Sequence, residues 1–538
     1  MKQKTMNSLI IASFIFAVAL LTGCGATNGG AVDNANTDTN ENTADNLVEL
    51  AANSTFVMAI SGDPTSTNPI VVSDRFGLTT VNMIYSPLAR IDHNNEFKFE
   101  LAESMEVSED GLTMTFQLRE GVLWSDGEPF TADDVVFTYT TRAQKENGNY
   151  AGMWINDEMI EVESIDELTV AFHLPAVSAA VLNNLLFEVN IMPRHIFENE
   201  PDFSANELVA HPVGTGPYRL VTYNRGQYLL FEANEHYFGG LPNIENVTLR
   251  IIENMDTQRI ALQSGEIDAA VVFPADIETL DANLINIFPF SENRVGYIGM
   301  NTLTEELSDV RVRQAIRYAL NTHDMNLAAY MSEAYFNTPV SILPPNNPFA
   351  TTDVNTFETN LDRARELLVE AGAENLRINI AFSSTDPAQT IQAQLAQEQL
   401  AQIGIILELE GGDGAAISAE LRTPESTRFN LFTGGYIMGN DPDAYRALFH
   451  SGGNANFFNY SNEIVDQLFD AAAVEMNEEL RRELYIKLQQ QLAEAAFFVP
   501  IVDNLRILAV NNRIGGVEEA GLIPIYTFED MSRLFITQ

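Results

Sequence analysis

The sequence predicts a mixed α/β (α+β) chain of at least two lobes, and three observations predict it. Strand-like segments with a two-residue period stand beside helix-like segments with a 3.6-residue period, and the two kinds are mixed rather than regularly alternating. Turn-rich stretches, Pro212-Val213-Gly214-Thr215-Gly216-Pro217 and Leu343-Pro344-Pro345-Asn346-Asn347-Pro348, divide the chain into blocks. With 538 residues the chain is long enough for more than one core.

The elements follow in order. Leu112, Met114, Phe116 and Leu118 alternate with Thr113, Thr115 and Gln117, the period of a half-buried strand. The tight turn Arg119-Glu120-Gly121 leads to a second strand. Ser125-Asp126-Gly127 is a further turn, and Thr131 caps a helix carrying Asp133 and Asp134 in its first turn. Alternation returns at Leu168, Val170, Phe172 and Leu174, and at Val247, Leu249 and Ile251. Val312, Ala315, Ile316, Ala319 and Leu320 form a helical stripe. Ala364, Leu367, Leu368 and Ala371 form another, closed by Gly372 as C-cap. Leu480, Leu484, Leu488, Leu492 and Ala495 form a third and longer one. These stripes are core faces and carry no chemistry.

The N-terminus has a separate logic. Lys2 and Lys4 precede an apolar run, Leu9 to Leu21, broken only by Ser13 and too short to span a bilayer comfortably. Small residues follow, then Cys24, the single cysteine of the chain, which therefore has no disulfide partner within it. Leu21-Thr22-Gly23-Cys24 resembles the lipobox of bacterial lipoproteins. The resemblance implies a signal peptide over 1–23, a diacylglyceryl group on the Cys24 sulfur, and a new N-terminus there. Residues 24–53 are small, polar and acidic, with too little apolar surface to offset ordering, and are expected to be a disordered tether.

Composition excludes several partners. Asp and Glu total 75 against 29 Lys and Arg, a formal charge of −46, which argues against nucleic acid and against an anionic membrane face. There is no Gly-x-Ser-x-Gly elbow, no Gly-rich loop ending in Lys-Ser/Thr and no His-Glu-x-x-His. The seven histidines show no ligand spacing, so no metal site, cofactor or enzymatic activity is expected.

Residues 101–137, LAESMEVSEDGLTMTFQLREGVLWSDGEPFTADDVVF, closely resemble the N-terminal block of bacterial solute-binding protein family 5. These are extracytoplasmic receptors of ABC importers for dipeptides, oligopeptides, nickel chelates and some oligosaccharides. The likeness continues in family order. It runs through Pro212–Tyr218, Glu232-Ala233-Asn234 with Tyr237-Phe238-Gly239-Gly240, Ala261–Asp268, Asp309–Ile316, Asp441-Pro442-Asp443 and Tyr460-Ser461-Asn462. It implies two lobes that close on ligand about a hinge, a periplasmic-binding-protein-like fold of the large class with an extra inserted domain. Lobe I would comprise 54–90, 209–303 and 504–538, the inserted domain 91–208, and lobe II 304–503. It also implies an oligopeptide ligand, permease subunits as partners, a monomeric receptor and an extracytoplasmic, lipid-anchored location in a Gram-positive bacterium. A nickel or metallophore chelate or an oligosaccharide is the alternative cargo, and a sensor lipoprotein without transport the alternative role.

The segment Gly434–Tyr445 resembles the family's cleft-facing loop on the second lobe, in which an aspartate shortly before Asp-Pro pairs with the peptide α-ammonium. Here that stretch is Ile437-Met438-Gly439-Asn440 and the carboxylate is missing. A buried ammonium without a counter-charge is costly, so either another carboxylate serves or the free terminus is not what is recognised. Longer peptides are favoured over dipeptides. The resemblance makes Tyr436, Met438, Asn440 and Asp441 ligand-binding candidates, together with Asp74, Arg75 and Phe76 on the first lobe and Arg294 and Tyr297 near the hinge. Trp154 is a candidate for ligand contact or for packing. Asp441 before Pro442 also has the pattern of a helix cap, and Tyr436 fits core packing as well as ligand stacking.

Overall fold

A computed structural model describes residues 54–537 except 95, 148–150, 182–184, 186–188 and 200–209. Cys24, the signal segment 1–23 and the tether 24–53 lie outside the described residues. No helix among the described residues is long and apolar enough to cross a membrane.

A 12-stranded sheet runs through the molecule. Its first part is ordered Tyr218–Asn224, Tyr228–Ala233, Asn246–Ile251, Thr55–Ile60, Ala269–Val272 and the long strand Phe498–Asn511. Beyond the long strand it continues through Arg294–Met300, Leu431–Ile437, Arg377–Ser383 and Ile406–Gly412. Parallel pairs (Thr55–Ile60 with Asn246–Ile251, Arg377–Ser383 with Ile406–Gly412) and antiparallel pairs coexist, which is why helices and strands do not alternate regularly along the sequence.

The long strand belongs to both parts. Ile507–Val510 pair with Ala269–Val272, whereas Phe498–Val502 pair with Gly296–Gly299. Two large apolar cores divide at the same place. One is built from Phe56 to Phe290 and Leu508 to Leu534, the other from Val295 to Val502. The chain therefore crosses between two lobes at Ser291–Arg294 and again at Asp503–Asn504, a pair of adjacent strands suited to hinge bending. The first core also takes in a four-stranded sheet, Ala102–Val107, Thr113–Leu118, Thr169–His173 and Glu161–Asp166, with the helix Ala132–Arg142.

Most local elements fall where periodicity puts them. The stripes become the helices Val310–Ala319, Leu361–Ala371 and Glu478–Ala495, and Gly372 closes the second with φ +67°. Thr131 caps Ala132–Arg142, its N–H donating to Asp134 Oδ2 at 2.9 Å, a capping-box contact. Two details differ. Leu480, first member of the longest stripe, is exposed, because the packed face of that helix runs through Arg481, Tyr485, Leu488 and Leu492. Beyond Arg119-Glu120-Gly121 there is no full strand, only a bridge between Leu123 and Pro129.

The glycines of Pro212–Pro217 are explained by space. A Cβ on Gly214 would lie 1.9 Å from the Ile84 carbonyl oxygen, and one on Gly216 2.6 Å from the Ile84 carbonyl carbon. Gly216 N–H donates to Ile84 O at 2.7 Å, so this loop lies against the end of the helix Arg75–Ile84. Gly214→Ala is expected to cost about 2–3 kcal/mol, the upper part of overpacking costs, because the obstacle is main chain. Urea unfolding checks it.

Candidate functional site

A cavity of about 310 Å³ lies between the lobes, at the lower end of the range for small-molecule sites. The first lobe supplies Asn82, Pro87, Arg90, Ile91, Asp92 and Phe97, the segment Ala179, Val189 and Asn190, and the loop Ile523–Tyr526. The second lobe supplies Pro348, Phe349, Ile437, Gly439, Asn440 and Asp441, and Asn293 reaches in from the hinge. The lobes also meet directly: Ala179 N–H donates to Ala473 O at 2.8 Å, at the end of the helix Glu463–Val474.

The walls are mostly apolar, and their polar groups are chiefly asparagine amides, each with both a donor and an acceptor. Asn346 donates to Asn293 Oδ1 at 2.7 Å and Asn347 to the Asn440 carbonyl at 3.0 Å, tying the second lobe's proline-rich turn to the hinge and to the loop after Leu431–Ile437. Such a lining suits a ligand with a neutral hydrogen-bonding backbone and apolar substituents.

Of the residues expected at the site, Asn440 and Asp441 line the cavity. Asp441 serves a structural purpose there. It caps the 3₁₀ turn Pro442–Tyr445, accepting from Asp443 N–H, and its two oxygens receive both Arg481 terminal nitrogens at 2.8 Å. Tyr436 is placed differently from the expected ligand contact: it is buried, with rings of Tyr297, Tyr445 and Phe498 around it, and its hydroxyl donates to Ile342 O at 2.6 Å. Strand alternation explains this, since it turns Ile437 to the cavity and Tyr436 to the core. Tyr297 is in the same aromatic core, and Met438 packs against it. Gly434 and Gly435 make this possible, because a Cβ would collide with the Tyr297 ring at the first and the Arg294 guanidinium at the second.

Arg294 braces the crossover, donating to Asn504 Oδ1 at 3.2 Å, and does not line the cavity. Asp74 caps the helix Arg75–Ile84 and Phe76 packs over Gly62. Arg75 acts from outside the lining. It pairs with Glu292 at the hinge and donates to the carbonyl of Ile525, a wall residue. Burial works to raise the Glu292 pKa, but Arg506 and Arg75 outweigh it and hold the carboxyl below its usual range. Trp154 is remote from the cavity lining: its ring N–H donates to Ala143 O, closing the helix Ala132–Arg142, and Lys145 lies over its face.

The wall residues that motif reading passed over include Asp92, Phe97, Phe349 and Ile525. Ile525 has φ +67° and nearby Thr527 +76°, unfavourable for β-branched residues, and such strain collects at binding sites. Asp92, His93 and Glu529 offer three ligand atoms within 4.8 Å of one another. A metal ion would have to displace existing partners there, since Glu529 already accepts from Lys98 Nζ at 2.8 Å and pairs with His93 Nδ1 at 2.7 Å.

Comparison with known proteins bears on this geometry. Residues 96–457 match the bacterial extracellular solute-binding proteins, family 5. Over 464 residues the chain is 30% identical to the oligopeptide-binding protein AppA of Bacillus subtilis, covering 82% of this chain and 84% of that one. The crystal structure of the ABC transporter substrate-binding protein CtaP of Listeria monocytogenes is similar at a TM-score of 0.87 and 33% identity, over 90% of this chain and 99% of that one. The structure of Bacillus subtilis AppA in complex with a nonapeptide is similar at a TM-score of 0.73 and 25% identity, over 90% and 99% of the two chains.

Proposed function

The chain belongs to the bacterial extracellular solute-binding proteins of family 5, transport receptors and not enzymes, and we propose that its own cargo is an oligopeptide captured between the lobes by hinge closure. The observation that carries this reading is the interlobe cavity, apolar on its walls and lined by asparagine amides at the hinge. Backbone groups of an extended peptide can pair with such amides whatever the side chains, and closure about the two crossing strands buries the ligand and creates the form a permease engages. The likeness to AppA, crystallised with a nonapeptide, supports the same class of cargo.

The receptor delivers to ABC permease subunits on the extracytoplasmic side. We place it there as a monomer lipidated at Cys24, tethered by 24–53 to the membrane of a Gram-positive cell. The proposal includes an inserted domain at 91–208 within the first lobe and a second lobe ending near 503, whose start we move from 304 to the crossing at 291–294.

Native mass spectrometry of protein purified from its host is expected to release a mixture of peptides. A single sugar or a metal chelate would overturn the reading. Deleting the protein in cells without related receptors should abolish peptide uptake, and undiminished uptake would leave a sensory role instead. Cys24→Ala should release the mature protein into the medium.

A further inference from the structure

We propose that Asp92 supplies the counter-charge for a cationic group of the bound solute, the function that the stretch Ile437–Asn440 cannot perform; this rests on the peptide reading above. Two carboxylates lie on the cavity wall, Asp92 and Asp441. Asp441 is already neutralised by the paired nitrogens of Arg481. Two carboxylates behind the wall are likewise matched: Glu292 by Arg75 and Arg506, Glu529 by Lys98 and His93. Asp503 is fully buried at the crossover, receives Ser291 and Asn337, and is not part of the lining.

Asp92 differs from all of these. Among the described residues no cation lies within ion-pair distance of it, although Arg90 shares the wall. Around it stand three carboxylates, Asp92, Glu100 and Glu529, against two permanent cations, Arg90 and Lys98; His93, whose ring lies within 4.8 Å of the Asp92 carboxylate, is engaged by Glu529. Arg90 is 3.3 Å from Glu100, and Lys98 lies 3.5 Å from Glu100 and 2.8 Å from Glu529. The excess negative charge is therefore left on the group that faces the cavity. Its Oδ1 is held by the N–H groups of Asn94 and Glu96 at 2.8 and 2.9 Å, which fixes the carboxylate, and among the described residues nothing donates to Oδ2, which is left for a ligand.

Unpaired carboxylates abound in so acidic a chain, but on an open surface water solvates them. Asp92 lies where closure on a ligand removes water, and an uncompensated charge there opposes closure. A ligand cation turns that penalty into a charge-assisted hydrogen bond. The cation is a peptide α-ammonium or a lysine or arginine side chain, with adjoining apolar side chains against Ile91, Phe97 and Phe349.

The experiment uses a defined set of tri- to nonapeptides, some containing lysine or arginine, offered with free and with acetylated N-termini to ligand-stripped wild-type protein and Asp92→Asn. The asparagine keeps the acceptor for Asn94 and Glu96, so the thermal midpoint should not move. The wild type is expected to prefer free-amine members by about tenfold or more, and Asp92→Asn to reduce this to within about twofold. A preference confined to lysine- or arginine-containing members, insensitive to acetylation and lost in Asp92→Asn, puts a side-chain cation at Asp92 instead and sustains the proposal. Equal binding of cationic and neutral members, or a preference that survives in Asp92→Asn, overturns it. If the wild type retains no member of either set, the peptide reading itself falls and takes this inference with it. Saturable Ni²⁺ binding that Asp92→Asn abolishes would reassign Asp92 to a metal and also overturn it.

Discussion

Asp441→Ala is expected to destabilise the protein by about 3–5 kcal/mol, seen as a lower urea midpoint, because it strands a buried guanidinium. Arg481 is 8% and Asp441 11% exposed, and their two hydrogen bonds are each 2.8 Å. Burial alone would lower the Arg481 pKa, but the Asp441 carboxylate outweighs it and the pKa is raised. Arg481 also donates to Ala472 O at 2.9 Å and lies 5.4 Å from the Phe349 ring, a cavity wall. Loss of the pair should therefore weaken ligand as well, through Phe349. Asp441→Asn keeps the cap acceptor and should cost less than alanine. The double variant Asp441→Ala with Arg481→Met should recover much of the loss, giving a coupling energy well outside additivity. A ligand anchor would behave in the opposite way: Asp441→Ala would abolish binding at an unchanged midpoint.

How much of this was legible in the sequence differs between scaffold and site. Alternation at 112–118 and 247–251 became Thr113–Leu118 and Asn246–Ile251, because one face of each strand is buried and the other is not. Asp441-Pro442 read as a cap and is one, since capping is a local matter of residue order. The partner of Asp441 was not legible. Arg481 is 40 residues away on a helix whose visible signal is its leucine stripe. The cavity was hidden for the same reason. Its wall joins short segments near 90, 180, 349 and 525, each too brief to carry a period. The resemblance pointed to the loop 437–441, which lines the cavity, but a one-residue step along a strand exchanges faces, and the motif alone could not say whether Tyr436 or Ile437 faces the cavity.

That exchange sets the second large effect, since Tyr436→Ala should cost about 3–5 kcal/mol of stability, as deletion of a buried aromatic does. Tyr436 is 8% exposed, and its ring centroid lies 5.6 Å from Tyr297, 5.3 Å from Tyr445 and 6.1 Å from Phe449 and Phe498, so no small shift fills the gap. Its hydroxyl fixes the carbonyl of Ile342 at 2.6 Å, just before the proline-rich turn that carries Pro348 and Phe349 to the cavity. Burial pushes the Tyr436 pKa well above its usual value, so the hydroxyl stays protonated, and a donor, where an exposed tyrosine would ionise. Tyr436→Phe keeps the ring and leaves that carbonyl without its partner, at about 1–2 kcal/mol. Both variants should lose stability before affinity: under conditions where each is fully folded, peptide affinity should fall by less than the change in unfolding free energy. A Tyr436→Ala protein with wild-type stability and no ligand binding would instead put the ring in the cleft, and with it reverse the face that Leu431–Ile437 turns toward the core.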